Sequence, residues 1–468
     1  MNAVTADAPA CVENRTFDEI RIGDSAHLTR TLTQRDIDLF AAMSGDANPA
    51  EEAPDPARSE LFHHVVAHGM WSGALISAVL GTRLPGPGTI QLSQDLHFHA
   101  PVNLGDTIDV SVTVSGKEPL DRRVRFHCRV RNQLGVDVVL GEAEVQAPAE
   151  KIRCAPADLP AVQVAGHRRF RQLRARVAGN PVLPTAIVHP CDAASITAAV
   201  EAASQGLIEP VLIGPAARIR ATARQAALDI APYRLVDTPH SHAAAAQAVA
   251  MVSDGEVRLL MKGSLHTDEL MHAVLANAGL RTGRRLSHVY VMDVPSYERL
   301  LLVTDAAINI APSLVDKRDI IQNAIDLARV LGIATPRVAV LSAVETVNPA
   351  MPSTLDAAAL CKMAERGQIT GGIVDGPLGF DNAISPLAAR EKGIRSAVAG
   401  SADILVVPDL ESGNMLAKQL TFLAGADAAG VVMGARVPII LTSRADTPRT
   451  RIASCVVAAL LAQAKQTG

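Results

Sequence analysis

From Pro181 to the C-terminus, short runs of valine, isoleucine and leucine alternate with alanine-rich segments that are long enough to form helices. The runs at residues 185–189 and 210–213 are apolar almost throughout, as strands buried on both faces of a sheet usually are. A segment of helix-forming composition follows at residues 195–204, and a later strand is expected at residues 308–310. This alternation predicts an α/β fold built on a doubly wound, largely parallel sheet.

The first 150 residues carry a different pattern, in which one long apolar helix candidate precedes four strand candidates. The helix candidate covers residues 65–80, and its many small residues would allow a sheet to wrap closely around it. This order of elements predicts an α+β domain in which the helix is buried on an antiparallel sheet. The strand candidates are residues 89–98, 107–114, 124–131 and 136–145.

Between these two regions the composition shifts toward proline and alanine, with three prolines between residues 148 and 160. Connections of this kind are extended and semi-rigid, so a linker is expected here. The predicted organisation is a first domain at residues 1–148, a linker at residues 149–165 and a second domain at residues 166–468.

Composition and charge argue against several classes of partner. The net charge of −4, without a basic stripe, gives no support for nucleic-acid binding. The six cysteines are widely spaced and include no Cys-x-x-Cys, so neither disulfides nor a metal site is predicted. No apolar run approaches membrane-spanning length and the N-terminus lacks a signal-peptide pattern, so a cytoplasmic protein without a membrane partner is expected.

A polar turn follows the apolar run at residues 257–260 and leads into a helix candidate. Gly263 permits a tight turn, and polar side chains at a helix N-terminus suit anion binding because the free N–H groups and the helix dipole favour negative charge. Ordinary helix capping is the alternative, since serine, threonine and aspartate are common caps. The candidate binding residues in this stretch are Lys262, Ser264, His266, Thr267 and Asp268.

Polar motifs also follow several later strand candidates, and ligands of doubly wound sheets bind at the carboxyl ends of the strands. Gly-x-Gly-x-x-Gly, Gly-x4-Gly-Lys-Ser/Thr and Gly-x-Ser-x-Gly are absent, which disfavours dinucleotide, P-loop and α/β-hydrolase sites. The polar residues of these motifs are instead expected to line one cleft together with Lys262, with helix capping as the alternative role for each. They are Asp305, Asn309, Asn382, Asn414 and Lys418.

Three segments of the N-terminal region carry a family resemblance: FAAMSGDANP at residues 40–49, AHGM at 67–70 and LPGPG at 84–88. With them the region resembles the MaoC-like (R)-specific enoyl-CoA hydratases, which have the hotdog fold. The resemblance implies an Asp-x4-His pair that positions and activates the water added across the enoyl-CoA double bond. Asp46 matches the aspartate, and Glu51 stands at the histidine position.

Glu51 in place of a histidine leaves more than one role open for this domain. Hydration needs one group to take a proton from water and one to deliver a proton, and two carboxylates can share this work if burial keeps one protonated. His63 or His64 could supply an imidazole instead, or the domain could serve dimerisation or acyl-chain binding without activity. Backbone N–H groups near Gly69 and Met70 could polarise the thioester carbonyl, with close helix packing at Gly69 as the alternative.

Six motifs in the C-terminal region lie at residues 262–272, 304–309, 341–345, 376–385, 409–418 and 442–446. Together they closely resemble the phosphate acetyl/butyryltransferase family, and the whole chain resembles the bifunctional enoyl-CoA hydratase/phosphate acetyltransferases. The resemblance implies the interconversion of acyl-CoA plus phosphate with acyl phosphate plus CoA, with coenzyme A thioesters and phosphate as substrates and no bound cofactor or metal. It also implies a homo-oligomer and a fold in two subdomains, similar in outline to isocitrate and isopropylmalate dehydrogenases.

Ser443 and Arg444 match the Ser-Arg pair of this family. By that resemblance, Arg444 would clamp phosphate with two hydrogen bonds, and Ser443 would orient the thiol or stabilise the oxyanion. The acetyl branch has an aspartate at the position of Thr450, so Asp446 becomes the candidate base, with helix capping as the alternative. Met271 replaces an arginine of the acetyl branch, which suggests a longer acyl chain unless Met271 is a core residue.

Three functions are consistent with the sequence. The favoured one is a phosphate acyltransferase for acetyl to butyryl groups, fused to a hotdog domain that lacks the hydratase histidine. The second keeps both halves active, so that enoyl-CoA hydration precedes phosphorolysis. The third, of a different class, is a non-catalytic acyl-CoA-binding or oligomerisation module.

Overall fold

Contacts within the chain divide it into two compact units, Met1–Gly166 and His167–Gly468. The computed structural model describes residues 12–45, 67–155, 168–442 and 446–467. The first unit is an α+β domain and the second an α/β domain, so the fold class predicted for each region is confirmed at this level.

The described part of the first unit contains a five-stranded sheet, a two-stranded sheet and two α-helices. The helices are α1 (Gln34–Ser44) and α2 (Gly69–Thr82). The strands are β1 (Val12–Glu13), β2 (Ser25–Thr31), β3 (Ile90–Phe98), β4 (Thr107–Glu118), β5 (Arg123–Asn132), β6 (Asp137–Gln146) and β7 (Arg153–Cys154).

The five-stranded sheet has the order β2-β4-β5-β6-β3 and is antiparallel throughout. Strand β4 buries every second side chain, among them Ile108, Val110 and Val112, as a sheet with one face on a core requires. These side chains share a core with Ile76 and Val79 of α2. The sequence pattern did not predict β2, because most of its side chains are polar and its burial is shallow.

The second unit contains one large sheet covered by helices on both faces. Its strands are β8 (Leu183–Val188), β9 (Ile208–Gly214), β10 (Arg234–Asp237), β11 (Leu259–Lys262), β12 (Ser287–Asp293), β13 (Leu301–Thr304), β14 (Arg337–Leu341), β15 (Ile373–Leu378), β16 (Ile404–Val406), β17 (Asp427–Met433) and β18 (Ile439–Ile440). Its helices are α3 (Arg168–Val177), α4 (Ala193–Ser204), α5 (Ala216–Gln225), α6 (Ser241–Ser253), α7 (Thr267–Ala276), α8 (Leu314–Val330), α9 (Pro352–Glu365), α10 (Phe380–Ile384), α11 (Pro386–Glu391), α12 (Leu410–Phe422) and α13 (Pro448–Thr467).

The eleven strands have the order β10-β9-β8-β11-β18-β17-β12-β13-β16-β14-β15. Neighbours are parallel from β10 to β18 and again from β13 to β15. In the middle, β17 is antiparallel to β18 and β12, and β12 is antiparallel to β13. The two parallel halves therefore run in opposite directions.

Short connections explain this reversal. Only residues 434–438 join β17 to β18, and residues 294–300 join β12 to β13. A parallel crossover needs about a dozen residues or more, so these connections allow only antiparallel pairing. In the connection between β17 and β18, Gly434 adopts a φ of +90°, which residues other than glycine rarely adopt.

The two faces of this sheet are covered differently. One apolar cluster runs along the whole of one face and includes Val289 and Val291 of β12. On the opposite face, a cluster with α6 and α7 and a second cluster with α10 and α12 stay separate. Between them lie His288, Tyr290 and Gly430, which we call the polar strip.

Candidate functional site

The polar strip occupies the middle of the sheet, where strand direction reverses. His288 and Tyr290 alternate with Val289 and Val291, so they face away from the continuous apolar cluster. Their rings meet edge to face, with centroids 4.4 Å apart. Tyr290 pairs with Gly430 across the β12–β17 ladder. The strip lies on the face of the sheet that carries the two separate apolar clusters, between them.

Glycine at position 430 lets the chain after β18 approach the strip. A Cβ atom on Gly430 would lie 2.4 Å from the Leu441 carbonyl oxygen and 2.9 Å from Nε2 of His288. The Leu441 amide also donates to the Gly430 carbonyl at 3.2 Å. The segment that leads to Ser443 is therefore packed directly against the polar strip.

The predicted Ser-Arg pair follows this segment but lies outside the described residues, as Ser443 and Arg444 are not among them. The chain is described again from Asp446, which is half-buried and immediately precedes the region of α13. Burial, followed by the nearby charge of Asp446, raises the pKa of Tyr290 to about 12. The charge of Asp446 therefore acts on the polar strip.

Asp305 organises the loop that follows β13. It is buried, and its carboxylate accepts hydrogen bonds from the backbone amides of Ala307, Ile308 and Asn309 at 2.9–3.2 Å. These bonds fold residues 305–309 into a tight turn, which corrects the strand predicted at residues 308–310. The side chain of Asn309 also donates to the Asp305 carboxylate.

Asn309 and Asn414 hold this loop in place. Asn309 donates to the Leu286 carbonyl at 2.8 Å and accepts from Nε of Arg285 at 2.7 Å. From α12, Asn414 donates to the Ala306 carbonyl at 3.1 Å. The structure thus brings Asp305, Asn309 and Asn414 together in contacts that shape the loop, and their predicted binding roles remain predictions.

Two other predicted residues lie apart from that loop. Lys418 is exposed one turn further along α12. Asn382 is fully buried in α10 and donates to Glu345 at 3.4 Å, so its side chain joins the loop after β14. Binding roles for both remain predictions.

The polar turn after β11 ties two strands of the first half-sheet together. The Gly263 amide donates to the Val188 carbonyl, and Ser264 Oγ donates to the His189 carbonyl at 2.8 Å. The Cys191 amide donates to the same Oγ at 3.1 Å. Ser264 thus fastens the loop after β8, and Lys262 ends β11 beside it.

The start of α7 satisfies its own amides. His266 is the N-cap residue and forms a capping box with Glu269, while Thr267 and Asp268 begin the helix. The side chains of His266 and Asp268 are exposed, and their binding roles remain predictions. Met271 is buried in the apolar cluster with α6 and α7, which agrees with a core role.

In the first unit, a cavity of about 290 Å³ lies at the N-terminal end of α2. Gly69 lines it together with the buried side chains of His68 and Ser72, and with His99. The side chain of Met70 is more than half exposed. The predicted Asp46 and Glu51, and the alternatives His63 and His64, lie outside the described residues.

The described residues show neither a metal-binding cluster nor a membrane-spanning helix. Within the described ranges, no group of three or more histidine, cysteine, aspartate or glutamate side chains is arranged to hold a metal ion. Among the helices of those same ranges, none is both long and apolar enough to cross a membrane.

Sequence reasoning missed the polar strip. The only available signal was a histidine and a tyrosine at alternate positions of a strand whose central residues are otherwise valine and methionine. A histidine or tyrosine in such a strand is more often a core residue with its hydrogen bonds satisfied than a functional residue. Gly430 belongs to no sequence motif. Only the strand pairing places the three residues together.

Two family models match separate parts of the chain. Residues 239–459 match the family model for phosphate acetyl/butaryl transferase, and residues 21–133 match that of the MaoC like domain. A phosphate acetyltransferase of Rhizobium meliloti is 63% identical over 295 residues, which make up 63% of this chain and 93% of that protein. The chain belongs to the phosphate acetyl/butyryltransferase family.

Two further proteins match over a similar length of this chain at lower identity. A phosphate butyryltransferase of Clostridium acetobutylicum is 39% identical over 296 residues, covering 63% of this chain and 98% of that protein. A solved structure, described as a branched-chain phosphotransacylase from Enterococcus faecalis V583, matches with a TM-score of 0.54 and 30% identity. That match covers 60% of this chain and 99% of the other. The combination of a MaoC-like region and a transferase region, predicted from the sequence, is confirmed.

Proposed function

We propose that the second unit interconverts acyl-CoA plus phosphate and acyl phosphate plus CoA, with acyl groups from acetyl to butyryl. The observation that carries the proposal is the 63% identity to a phosphate acetyltransferase across nearly the whole length of that protein. Similarity to a phosphate butyryltransferase supports the upper end of the acyl range. No bound cofactor or metal is part of the proposal.

In the proposed reaction, the CoA thiolate attacks the acyl carbon of the acyl phosphate, the carbon–oxygen bond breaks, and phosphate leaves. Arg444 would hold the phosphoryl oxygens with two parallel hydrogen bonds. Ser443 would donate to the oxyanion or orient the thiol, and Asp446 would accept the thiol proton. The effect of the Asp446 charge on the pKa of Tyr290 supports this last role, because it indicates that a carboxylate acts on the polar strip.

Phosphate-dependent release of CoA, detected through its free thiol, tests the proposal on acetyl-, propionyl-, butyryl- and crotonyl-CoA. We expect release with at least one short saturated thioester and none without phosphate. Ser443→Ala and Arg444→Ala should each lower kcat/KM by about 100-fold, the usual effect of removing one donor to a developing charge. Activities within a few-fold of the unaltered protein would contradict the site assignment.

Matched controls are available on exposed helix surfaces of the same unit. Ser204 at the end of α4 and Arg224 on α5 are both exposed and carry no proposed role. Ser204→Ala and Arg224→Ala should leave phosphate-dependent CoA release unchanged.

A second candidate function is hydration of enoyl-CoA by the first unit. The observation that favours it is the cavity at the start of α2, where first-turn amides would polarise a thioester carbonyl. Asp46 and Glu51 would share the proton transfers. The disappearance of crotonyl-CoA absorbance, without phosphate, measures this activity.

The substitution Glu51→His provides the sharpest version of that measurement, since it installs the Asp-x4-His pair. If only the missing histidine prevents hydration, this variant should gain activity that Asp46→Asn then removes. Hydration by the unaltered protein would support the alternative in which both halves are active. A chain that binds CoA thioesters without either turnover would be the non-catalytic module.

The finer parts of the predicted organisation remain proposals. They are the outline shared with isocitrate and isopropylmalate dehydrogenases in two subdomains, the homo-oligomeric state and the cytoplasmic location. The separate apolar clusters on one face of the sheet support the two subdomains.

A further inference from the structure

Tyr290 lies in the middle of β12, on the face of the sheet that carries the two separate apolar clusters. Its ring packs against the cluster with α10 and α12, and the ring of His288 meets it edge to face. These contacts hold the ring, although the side chain as a whole is only partly buried. A firmly oriented phenol thus lies between the two clusters.

The neighbours of Tyr290 on the adjacent strands are unequal. Residues directly opposite each other in an antiparallel pair share a face of the sheet, and Tyr290 stands opposite Val303 of β13 and Gly430 of β17. Val303 is fully buried in the cluster with α10 and α12. Gly430 has no side chain, so Tyr290 is covered by a neighbouring side chain on one side only.

The hydroxyl group of Tyr290 takes no part in holding the fold. Among the residues that the structure describes, none forms a hydrogen bond with it, and its oxygen is not one of the fully buried polar atoms. A tyrosine hydroxyl in mostly apolar surroundings usually has a hydrogen-bond partner. The unused hydroxyl therefore points to a partner that binds between the two clusters.

The hydroxyl group can act as a donor but not as a base. Burial, followed by the charge of Asp446, raises the pKa of Tyr290 to about 12. The phenol therefore keeps its proton at the neutral pH at which the proposed reaction would run.

A neutral donor suits an oxygen that gains negative charge during a reaction. In the proposed reaction that oxygen is the acyl carbonyl oxygen, because attack on the acyl carbon, by thiolate or by phosphate, places negative charge on it. Phosphoryl oxygens are charged before the reaction begins and are better matched by an arginine. The acyl group is therefore the part of the substrate that this hydroxyl fits.

We infer that the Tyr290 hydroxyl donates a hydrogen bond to the acyl carbonyl oxygen of the bound substrate, and that this bond strengthens as the acyl carbon is attacked. The role rests on the proposed function, because the acyl group belongs to the substrate of the second unit. It adds a contact from a residue that lies in none of the six sequence motifs.

Tyr290→Phe tests this role, because it removes one oxygen atom and keeps the ring. We expect kcat for phosphate-dependent CoA release to fall by about 10- to 100-fold, with KM for phosphate changed by less than about 3-fold. The midpoint of urea unfolding should not fall, since the hydroxyl bonds to none of the described residues. The pH profile of kcat should keep its shape, since a phenol with a pKa of about 12 does not titrate near neutral pH.

The other two tyrosines of the chain are matched controls. The Tyr297 hydroxyl donates to the Ala402 carbonyl at 2.6 Å, so Tyr297→Phe should lower the urea midpoint and leave kcat unchanged. Tyr233 packs against the continuous apolar cluster, and Tyr233→Phe should change neither quantity.

An unchanged kcat for Tyr290→Phe would overturn the role of Tyr290. So would a urea midpoint lowered as much as in Tyr297→Phe, because the hydroxyl would then be structural, or a higher KM for phosphate at unchanged kcat. If the unaltered protein releases no CoA in the presence of phosphate, the proposed function fails and the role of Tyr290 fails with it. If the unaltered protein is active and Ser443→Ala is not, while Tyr290→Phe is fully active, only the role of Tyr290 fails.

Discussion

Asp305 shows how one residue can shape a loop at the edge of a sheet. Its carboxylate accepts from three consecutive backbone amides and from the Asn309 side chain, so four donors converge on one buried charge. Hydrogen bonds to a charged acceptor are stronger than neutral ones, and a buried donor that loses its partner is costly. The loop conformation therefore depends on this single carboxylate.

We expect Asp305→Asn to destabilise the second unit by about 2–4 kcal/mol, because the amide supplies one acceptor oxygen and places an NH2 group among donors. The free energy of unfolding, measured in urea, checks this value. Asp254→Asn at the exposed end of α6 is the control and should change it by less than about 0.5 kcal/mol. Equal stability of the two variants would show that Asp305 does not organise the loop.

At the scale of elements, the loops after β8 and β11 depend on very close backbone contact. Both strands are parallel neighbours, and their following loops are joined through Gly263, Ser264 and His189. A Cβ atom on Gly263 would lie 2.4 Å from the Val188 carbonyl oxygen and 2.7 Å from that of His189. Glycine is required here by space rather than by an unusual φ angle.

Gly263→Ala should separate these two loops and lower the free energy of unfolding by about 3 kcal/mol, because the backbone atoms it meets cannot rotate away. It should also weaken phosphate-dependent CoA release if the turn contributes to the anion site. Thermal unfolding measures the first effect.

Gly81→Ala, in α2, serves as the control for this glycine. A Cβ atom there would meet nothing within 4 Å, and alanine is the better helix former. The control should be neutral or stabilising. A Gly263→Ala variant as stable as Gly81→Ala would contradict the close-contact argument.

At the scale of the whole molecule, buried histidines make stability depend on pH. Burial lowers the pKa of His189 and, more strongly, that of His288. Below the unfolded pKa of about 6.5, the unfolded chain takes up protons that these folded rings refuse, so stability falls as pH decreases. Each such histidine contributes a slope of up to about 1.4 kcal/mol per pH unit in that range.

The free energy of unfolding should therefore decrease between pH 7 and pH 5, and His288→Gln should reduce the decrease by about 1–2 kcal/mol. Urea unfolding at both pH values measures the difference between the two proteins, in which contributions from carboxylates cancel. An identical pH dependence would mean that His288 is protonated in the folded protein.

The two-unit architecture leads to a prediction for the isolated second unit. The family relatives match about 63% of this chain and nearly their own full length, and the second unit has its own continuous core. A fragment of residues 167–468 should therefore fold and keep kcat/KM for phosphate-dependent CoA release within about 3-fold of the full chain. Loss of activity in a folded fragment would assign the first unit a direct part in the transferase site.

The fold class was predictable because each element carries its own pattern. Alternating burial along β4 and continuous burial along β8 follow directly from the order of apolar residues. Strand β2 was not predictable, since its polar residues carry no such pattern. The predicted strand at residues 308–310 was wrong, because local β-branched character yields to the hydrogen bonds of Asp305.

The sequence by itself determined that this chain combines an antiparallel α+β domain with an α/β domain, and it identified the motifs of the transferase family. Only the tertiary structure decided which way the two halves of the large sheet run and which side chains meet between them. The physical reason is that burial patterns are local along the chain, whereas strand order and direction depend on connections and pairings between distant segments. His288, Tyr290 and Gly430 are therefore visible as a group only after β12 and β17 are paired.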